Sequence, residues 1–172
     1  MLIEVADPSQ KIPFSYQELS NPDLLDYANT HLPTEGILKV DNVTNYSYLK
    51  IADDYILKLF PFLSELDQDL KQPEYFSEEK NFIGAHITVA YADEVNAELI
   101  KQDIIQLEKE SGLLTIHFNI KRLLYIQAFE KKIIILTVFA PALEEMREKH
   151  KLSYKLNYNG LLVPFHITVA LG

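Results

Sequence analysis

The chain has 172 residues, 48% of them hydrophobic and 24% charged, with a formal net charge of −9 at pH 7. This composition is ordinary for a single folded domain, and the chain is long enough to bury a core. The lack of cysteine excludes disulfides, thiolate catalysis and cysteine metal sites, and the acidic charge argues against a broad nucleic-acid platform, which uses many Lys and Arg contacts.

The N-terminal segment 1–36 is rich in proline and has little periodicity. It is therefore predicted to be irregular or loosely packed, with a short helix near Pro22–Tyr27. The first ten residues lack the basic and apolar regions of a signal peptide, and no apolar run approaches the ~20 residues needed to cross a bilayer. We expect a cytoplasmic protein with a domain over 37–172, preceded by an extension that is part of the same domain or loosely packed.

A strand and a helix are predicted next. Ile37–Val40 follows a glycine and reads as the first strand, and residues 67–80 are polar and read as a loop. Between them, apolar residues recur at helical spacing, and Pro61 should kink or split the helix. The stripe consists of Leu49, Ala52, Ile56, Leu59, Leu63 and Leu66.

The rest of the chain alternates between strands and helices, for an overall order of β-α-β-α-β-β-β-α-β. Asp93 can cap a helix over about 94–110 that ends at Gly112, and Pro141 can open another that runs to His150. The predicted strands are Ala85–Tyr91, Leu113–Ile120, a hairpin of Leu123–Phe129 and Ile133–Phe139 joined through Glu130, Lys131 and Lys132, and a last strand that follows Tyr154–Asn159 and Gly160.

The sequence His-Ile-Thr-Val-Ala occurs twice, at His86–Ala90 and again at His166–Ala170. Side chains alternate between the two faces of a strand. Each copy therefore presents a histidine and a threonine on one face and two aliphatic side chains on the other. Each copy also ends a strand–helix–strand unit, over 37–91 and 133–170, which predicts two similar halves around one cleft.

Two such pairs are suited to acid–base chemistry on a phosphodiester. Imidazole titrates near neutral pH, so one histidine can take a proton from an attacking oxygen while the other donates one to the leaving oxygen. The hydroxyls of Thr88 and Thr168 can donate to the non-bridging oxygens, whose charge must be stabilised during the reaction. No metal is required for this chemistry.

The segments AHITVAY and FHITVAL resemble the paired HxTx motifs of the two-histidine (2H) phosphoesterase superfamily. This superfamily includes RNA 2′,3′-cyclic phosphodiesterases and enzymes that act on 2′–5′ oligoadenylates and cyclic nucleotides. The resemblance covers roughly 37–172. It implies an α+β, bilobal fold in which pseudo-two-fold related β-α-β lobes flank a central cleft between antiparallel sheets. It also implies that His86 and His166 are catalytic and that Thr88 and Thr168 bind the phosphate.

The resulting hypothesis is a metal-independent phosphodiesterase that hydrolyses a cyclic or 2′–5′ phosphodiester, above all a 2′,3′-cyclic phosphate on a nucleotide or RNA end. We expect no cofactor, no membrane association, a monomeric state and a small nucleotide or RNA-end substrate. Either histidine could be the base, because the motifs are equivalent in sequence. The alternative is a protein that binds a nucleotide or cyclic phosphate without turnover.

The other histidines and a metal site are weaker candidates in this sequence. His31 is expected in an exposed loop, and His150 at a helix end, where a cation suits the helix dipole. His117 is the next candidate for a catalytic histidine, but a position on a solvated sheet face explains its sequence pattern better. A zinc site is disfavoured because His86 and His166 supply two ligands, whereas catalytic zinc usually has three protein ligands.

The aromatic residues near the motifs are ambiguous in the sequence. Tyr91 has the parity of the aliphatic positions of its strand, so it should face away from the cleft. Phe165 has the wrong parity to share a face with His166. Tyr125 and Gln127 share a strand face that could line the cleft. Specificity is expected to depend on the loop 67–84, the N-terminal extension and the segment 151–165.

Overall fold

The computed structural model describes residues 4–5, 14–73, 83–128, 131–153, 155–158 and 161–172. Within these residues the chain forms antiparallel sheets flanked by helices. The helices are α1 (Pro22–His31), α2 (Asp54–Leu57), α3 (Phe60–Ser64), α4 (Ala97–Ser111) and α5 (Pro141–Lys149). The strands are β1 (Glu4–Val5), β2 (Phe14–Leu19), β3 (Glu35–Val40), β4 (Ser47–Lys50), β5 (His86–Ala90), β6 (Thr115–His117), β7 (Asn119–Ala128), β8 (Lys131–Phe139), β9 (Leu156–Tyr158), β10 (Leu161–Val163) and β11 (His166–Leu171).

Two four-stranded antiparallel sheets form the two lobes. The first has the strand order β5-β4-β3-β6 and the second the order β11-β8-β7-β2, while β1, β10 and β9 form a third, smaller sheet. The two histidine-bearing strands, β5 and β11, each stand at one end of their sheet, and their Cα atoms come within 8 Å of one another. The two halves of the repeat therefore meet at the centre of the molecule.

A single hydrophobic core joins the two lobes. The aliphatic positions of both motifs, Ile87 and Val89 on β5 and Ile167 and Val169 on β11, are completely buried in it. Helix α1 packs on β7, α4 on β3 and β4, and α5 on β5 and β6. This confirms the predicted α+β class, with antiparallel sheets on either side of a centre formed by the two motif strands.

The prediction of irregular structure for residues 1–36 is wrong where this segment is described. Phe14–Leu19 forms β2, which pairs along its whole length with β7 in the second sheet. Asn21 caps α1 by accepting a hydrogen bond from the Leu24 N–H at 3.1 Å, and α1 extends well beyond the expected Pro22–Tyr27. The strand was missed because its partner lies about a hundred residues later, beyond the reach of local patterns. The division of the chain at residue 37 stays a prediction.

The prediction of one long helix from the apolar stripe is also wrong at the start of the stripe. Leu49 lies in β4, between β3 and β5, and the helical part consists of the two short helices α2 and α3. The break at Pro61 is confirmed, since this proline lies in the first turn of α3. Leu49 satisfies the helical spacing because it is fully buried, and burial alone does not distinguish a strand from a helix.

Three further elements differ in their bounds. The predicted strand Leu113–Ile120 is divided at Phe118, where the chain leaves the first sheet as β6 and enters the second as β7. Helix α4 begins after Asn96 rather than near Asp93, and its predicted end at Gly112 is confirmed, with a φ of 77°. The hairpin of β7 and β8 and the start of α5 at Pro141 are confirmed.

Parts of the predicted segments lie outside the described residues, namely 74–82, 129–130, 154, 159 and 160. Among the helices that the structure describes, none is long and apolar enough to span a membrane.

Candidate active site

The two motif strands carry their polar residues on the face opposite the core, as the alternation predicts. Thr88 is buried, whereas His86, His166 and Thr168 are half-buried on that face. Because β5 and β11 are adjacent, the structure brings the two histidine–threonine pairs to one place. These four residues are the candidate site, and their chemical roles remain predictions.

The two imidazoles are held by the same kind of contact. Nδ1 of His86 lies 2.7 Å from the carbonyl oxygen of Gly84, and Nδ1 of His166 lies 2.8 Å from that of Pro164. A carbonyl oxygen only accepts hydrogen bonds, so each Nδ1 carries the hydrogen. In the neutral ring, Nε2 then carries the lone pair that can accept a proton, and the two histidines have matching tautomers.

Both histidines are shifted towards the neutral form. Burial lowers the pKa of His86, the hydrogen bond to Gly84 opposes this, and the positive charge of Lys50 lowers the pKa further. Burial likewise lowers the pKa of His166, against its bond to Pro164, and protonated His86 lowers it too. Protonation of His86 therefore disfavours protonation of His166.

An ion pair supports the turn that holds His86. Lys50 Nζ donates to Asp53 Oδ1 at 2.7 Å and to the carbonyl of Ala85 at 3.2 Å, and Asp53 Oδ1 also accepts from the Ala85 N–H at 2.9 Å. Gly84 has a φ of +79°, and a Cβ there would lie 2.5 Å from Asp53 Oδ1. The pair thus fills the space beside the glycine whose carbonyl holds His86.

Sequence reasoning missed Lys50 and Asp53. Lys50 lies directly opposite His86 in the pairing of β4 with β5, and β4 had been assigned to a helix. Recognition of a strand over Ser47–Lys50 would have placed this lysine beside the motif, because paired residues project their side chains on the same face.

Aromatic side chains surround the first motif. The hydroxyl of Tyr46 lies 2.8 Å from Thr88 Oγ1, and its ring stacks on Tyr48 with centroids 5.5 Å apart. Both rings approach His86 edge-on, at 6.4 Å for Tyr46 and 5.9 Å for Tyr48. Tyr46 stacks on Tyr91 as well, at 6.3 Å, so the expected placement of Tyr91 away from the cleft does not hold. A bulge in the pairing of β4 with β5 interrupts the alternation before that residue.

The aromatic residues around the second motif belong to the core. Phe165 is buried in the hydrophobic cluster, in agreement with its parity. Tyr125 packs against the same cluster, so it does not line the cleft face, and Gln127 is exposed.

The remaining histidines lie in structural or exposed settings. His117 is 80% exposed, with Nδ1 3.6 Å from a carboxylate oxygen of Glu35. His150 Nε2 lies 2.6 Å from Asp103 Oδ2, and the exposed ring of His31 contacts Tyr27. In the part of the chain that the structure describes, no group of three or more His, Asp or Glu side chains is arranged to hold a metal ion.

A buried ion pair fixes the far end of β5. Arg147 on α5 donates to both carboxylate oxygens of Glu94, at 2.8 and 2.9 Å, and to the carbonyl of Val89 at 2.9 Å. Their side chains are 1% and 4% exposed. Bidentate bonding of this kind offsets the cost of burying the charges, and it fastens α5, which follows β8 in the chain, to the motif strand of the first sheet.

Two lobes that each contribute one His-x-Thr strand to a shared face are the arrangement expected of a two-histidine phosphoesterase. The family model described as Swiss Army Knife, 2H phosphoesterase domain, matches residues 47–171. The chain belongs to this family, and its activity is that of a hydrolase acting on phosphoester bonds. No curated protein matched the chain, and no solved structure did.

Proposed function

We propose that the protein is a metal-independent phosphodiesterase that hydrolyses a cyclic or 2′–5′ phosphodiester, with a 2′,3′-cyclic phosphate on a nucleotide or RNA end as its substrate. The supporting observation is the matched pair of imidazoles on adjacent strands, each with its hydrogen on Nδ1. Such a pair can supply the base and the acid between which the reaction passes one proton across phosphorus.

In the proposed reaction, one neutral histidine takes a proton from water as the water oxygen forms a bond to phosphorus. The bond between phosphorus and one ribose oxygen breaks, and the other histidine, protonated beforehand, donates its proton to that oxygen. The products are a phosphomonoester and a free hydroxyl, and the two histidines have exchanged protonation states. Thr88 and Thr168 donate to the non-bridging oxygens, whose charge grows in the transition state.

The surroundings of the site favour a small nucleotide substrate. Tyr48 is half-buried and lies edge-on to His86, so part of its ring is accessible to a base next to the reacting phosphate. Every nucleobase can stack on such a ring. The net charge of −9 disfavours long contacts with an RNA backbone. We accordingly propose a monomeric cytoplasmic enzyme that acts on single nucleotides or RNA ends.

Replacement of either site histidine tests this proposal. His86→Ala and His166→Ala should each reduce kcat by about 10²–10⁴-fold, because each removes one of the two proton-transfer groups. Wild type and both variants would be assayed by phosphorus NMR on 2′,3′-cyclic AMP, an RNA oligonucleotide with a cyclic-phosphate end, a 2′–5′ oligoadenylate and a 3′,5′-cyclic nucleotide. His117→Ala is the matched control, since this exposed histidine lies on β6.

The outcomes separate an enzyme from a binding protein. Full activity in either site variant would contradict two-histidine catalysis. Tight binding of these compounds by the wild type without product would favour a protein that binds a nucleotide or cyclic phosphate and does not turn it over.

A further inference from the structure

The hydroxyl of Tyr46 is placed against one of the two candidate phosphate-binding groups. It lies 2.8 Å from Thr88 Oγ1, a hydrogen-bonding distance, and Thr88 is only 6% exposed. The two residues are far apart in sequence and meet because Tyr46 immediately precedes β4, the neighbour of β5. This contact is a product of the tertiary fold.

The ring of Tyr46 is held on several sides. Tyr48 and Tyr91 stack on it at 5.5 and 6.3 Å, and His86 lies edge-on at 6.4 Å. A ring held in this way fixes the position of its hydroxyl, so the contact with Thr88 needs little further ordering. The tyrosine is therefore suited to orient a neighbouring group.

The protonation state of Tyr46 determines what its hydroxyl can do. Burial raises the pKa of Tyr46 to about 12. The phenol thus keeps its hydrogen throughout the neutral range. Two neutral hydroxyls in contact contain two hydrogens, of which one forms the bond between them and the other points elsewhere.

We propose that Tyr46 is a positioning residue that donates its hydrogen bond to Thr88 Oγ1 and so directs the threonine's own hydrogen towards a non-bridging oxygen of the bound phosphodiester. This inference depends on the proposed function, because it assumes that a phosphate occupies the face between β5 and β11. A chain of two hydroxyls that ends on an anionic oxygen is also cooperative, since each bond polarises the next.

A double-mutant cycle tests the relay. Tyr46→Phe keeps the ring and its stacking and removes only the hydroxyl. Thr88→Val keeps the shape of the side chain and removes the hydroxyl that would accept the hydrogen bond. We expect each variant to weaken binding of inorganic phosphate by about tenfold, the effect of one hydrogen bond. Tyr46→Phe should add less than about a twofold loss in the Thr88→Val background, because the hydroxyl would then have nothing to orient.

Binding would be measured by NMR titration with inorganic phosphate, and kcat/KM by hydrolysis of 2′,3′-cyclic AMP. Thermal unfolding would be recorded for every variant, and Tyr27→Phe is the matched control, because Tyr27 lies on α1, which packs on β7, and its ring contacts Phe62 at a tilted angle. A role confined to stability would change the unfolding temperature and leave no coupling in the cycle.

The outcomes distinguish the relay from the proposed hydrolysis. Three results would each overturn the relay. The losses could multiply in the double variant, Tyr46→Phe could bind phosphate with wild-type affinity, or the wild type could fail to bind phosphate. Coupled losses in phosphate binding, without turnover of any cyclic phosphate, would support the relay and overturn the proposed hydrolysis alone.

Discussion

Strand β5 lies beside β4 and strand β11 lies beside β8, and the two neighbours present different side chains to the same five-residue motif. Opposite the histidines stand Lys50 in the first lobe and Thr137 in the second. Opposite the threonines stand Tyr48 and Ile135. The motif supplies two equal histidine–threonine pairs, and the neighbouring strands make their surroundings unequal: the first lobe presents a cation and an aromatic ring, and the second a hydroxyl and an aliphatic side chain.

The turns before the two histidines also differ in the contacts that hold them in place. His86 is held by a glycine carbonyl that the Lys50–Asp53 ion pair supports, and His166 by the carbonyl of Pro164. Proline restricts its own φ, so the second turn is partly rigid through its covalent structure. The first turn needs tertiary contacts to reach the same geometry, and we expect it to be the more sensitive of the two to substitution.

Gly84→Ala should have the largest effect among the tests of this difference. The added Cβ would lie 2.5 Å from Asp53 Oδ1 and 2.7 Å from Lys50 Nζ, at a φ of +79° that side chains rarely adopt. The ends of Asp53 and Lys50 must shift, which breaks up their support of the turn, and the positive φ strains the backbone that places the carbonyl on His86. Misplacement of a catalytic group by about 1 Å can cost about 100-fold in rate. We expect this loss in kcat on 2′,3′-cyclic AMP.

Gly112→Ala is a matched control for that variant. Gly112 has a similar φ of +77°, but a Cβ there would meet nothing within 4 Å, and the residue lies at the end of α4. It should lower the free energy of unfolding by about 1 kcal/mol without changing kcat. Equal loss of activity in both variants would show that backbone strain, and not the position of His86, is responsible.

Tyr48→Ala should have an intermediate effect, on substrate binding. Stacking of a base on an aromatic side chain contributes about 1–3 kcal/mol, so KM should rise about tenfold while kcat changes little. Tyr48→Phe retains a ring and should behave as the wild type. A cyclic phosphate without a base should lose less with Tyr48→Ala than the nucleotide does, because only the support that Tyr48 gives to the ring of Tyr46 is then missing. Equal losses on the two substrates would argue against stacking.

Lys50→Gln should have the smallest effect, a shift in the pH–rate profile. The charge of Lys50 lowers the pKa of His86, so its removal should raise that pKa. If His86 is the base, the acidic limb of the profile moves to higher pH, because a base must be neutral to act. If His86 is the acid, the alkaline limb moves to higher pH instead. The variant thus assigns the roles of the two histidines.

Thr137→Val is the counterpart of that variant in the second lobe. It removes the acceptor of the Arg122 N–H but no charge, so both limbs should stay in place while stability falls. Unchanged limbs in Lys50→Gln would show that the two histidines experience the same electrostatic environment and that the lobes differ only in shape.

Elements whose signals are local were predictable from the sequence. The start of α5 at Pro141 and the end of α4 at Gly112 depend on the chemistry of one or two residues, and both were predicted. Strands β2 and β4 were missed because each is stabilised by a distant partner, β7 and β5 respectively. A buried leucine such as Leu49 satisfies helical spacing and strand burial equally well.

The candidate site likewise has features that depend on local sequence and features that depend on distant strand partners. The sequence by itself determined that each motif has a histidine and a threonine on one strand face and two core residues on the other, because alternation along a strand is a property of the backbone. Only the tertiary structure decided which side chains stand beside them: Lys50 and Tyr48 opposite one motif, Thr137 and Ile135 opposite the other. The physical reason is that strand pairing is long-range, so two identical segments acquire different environments from different neighbours.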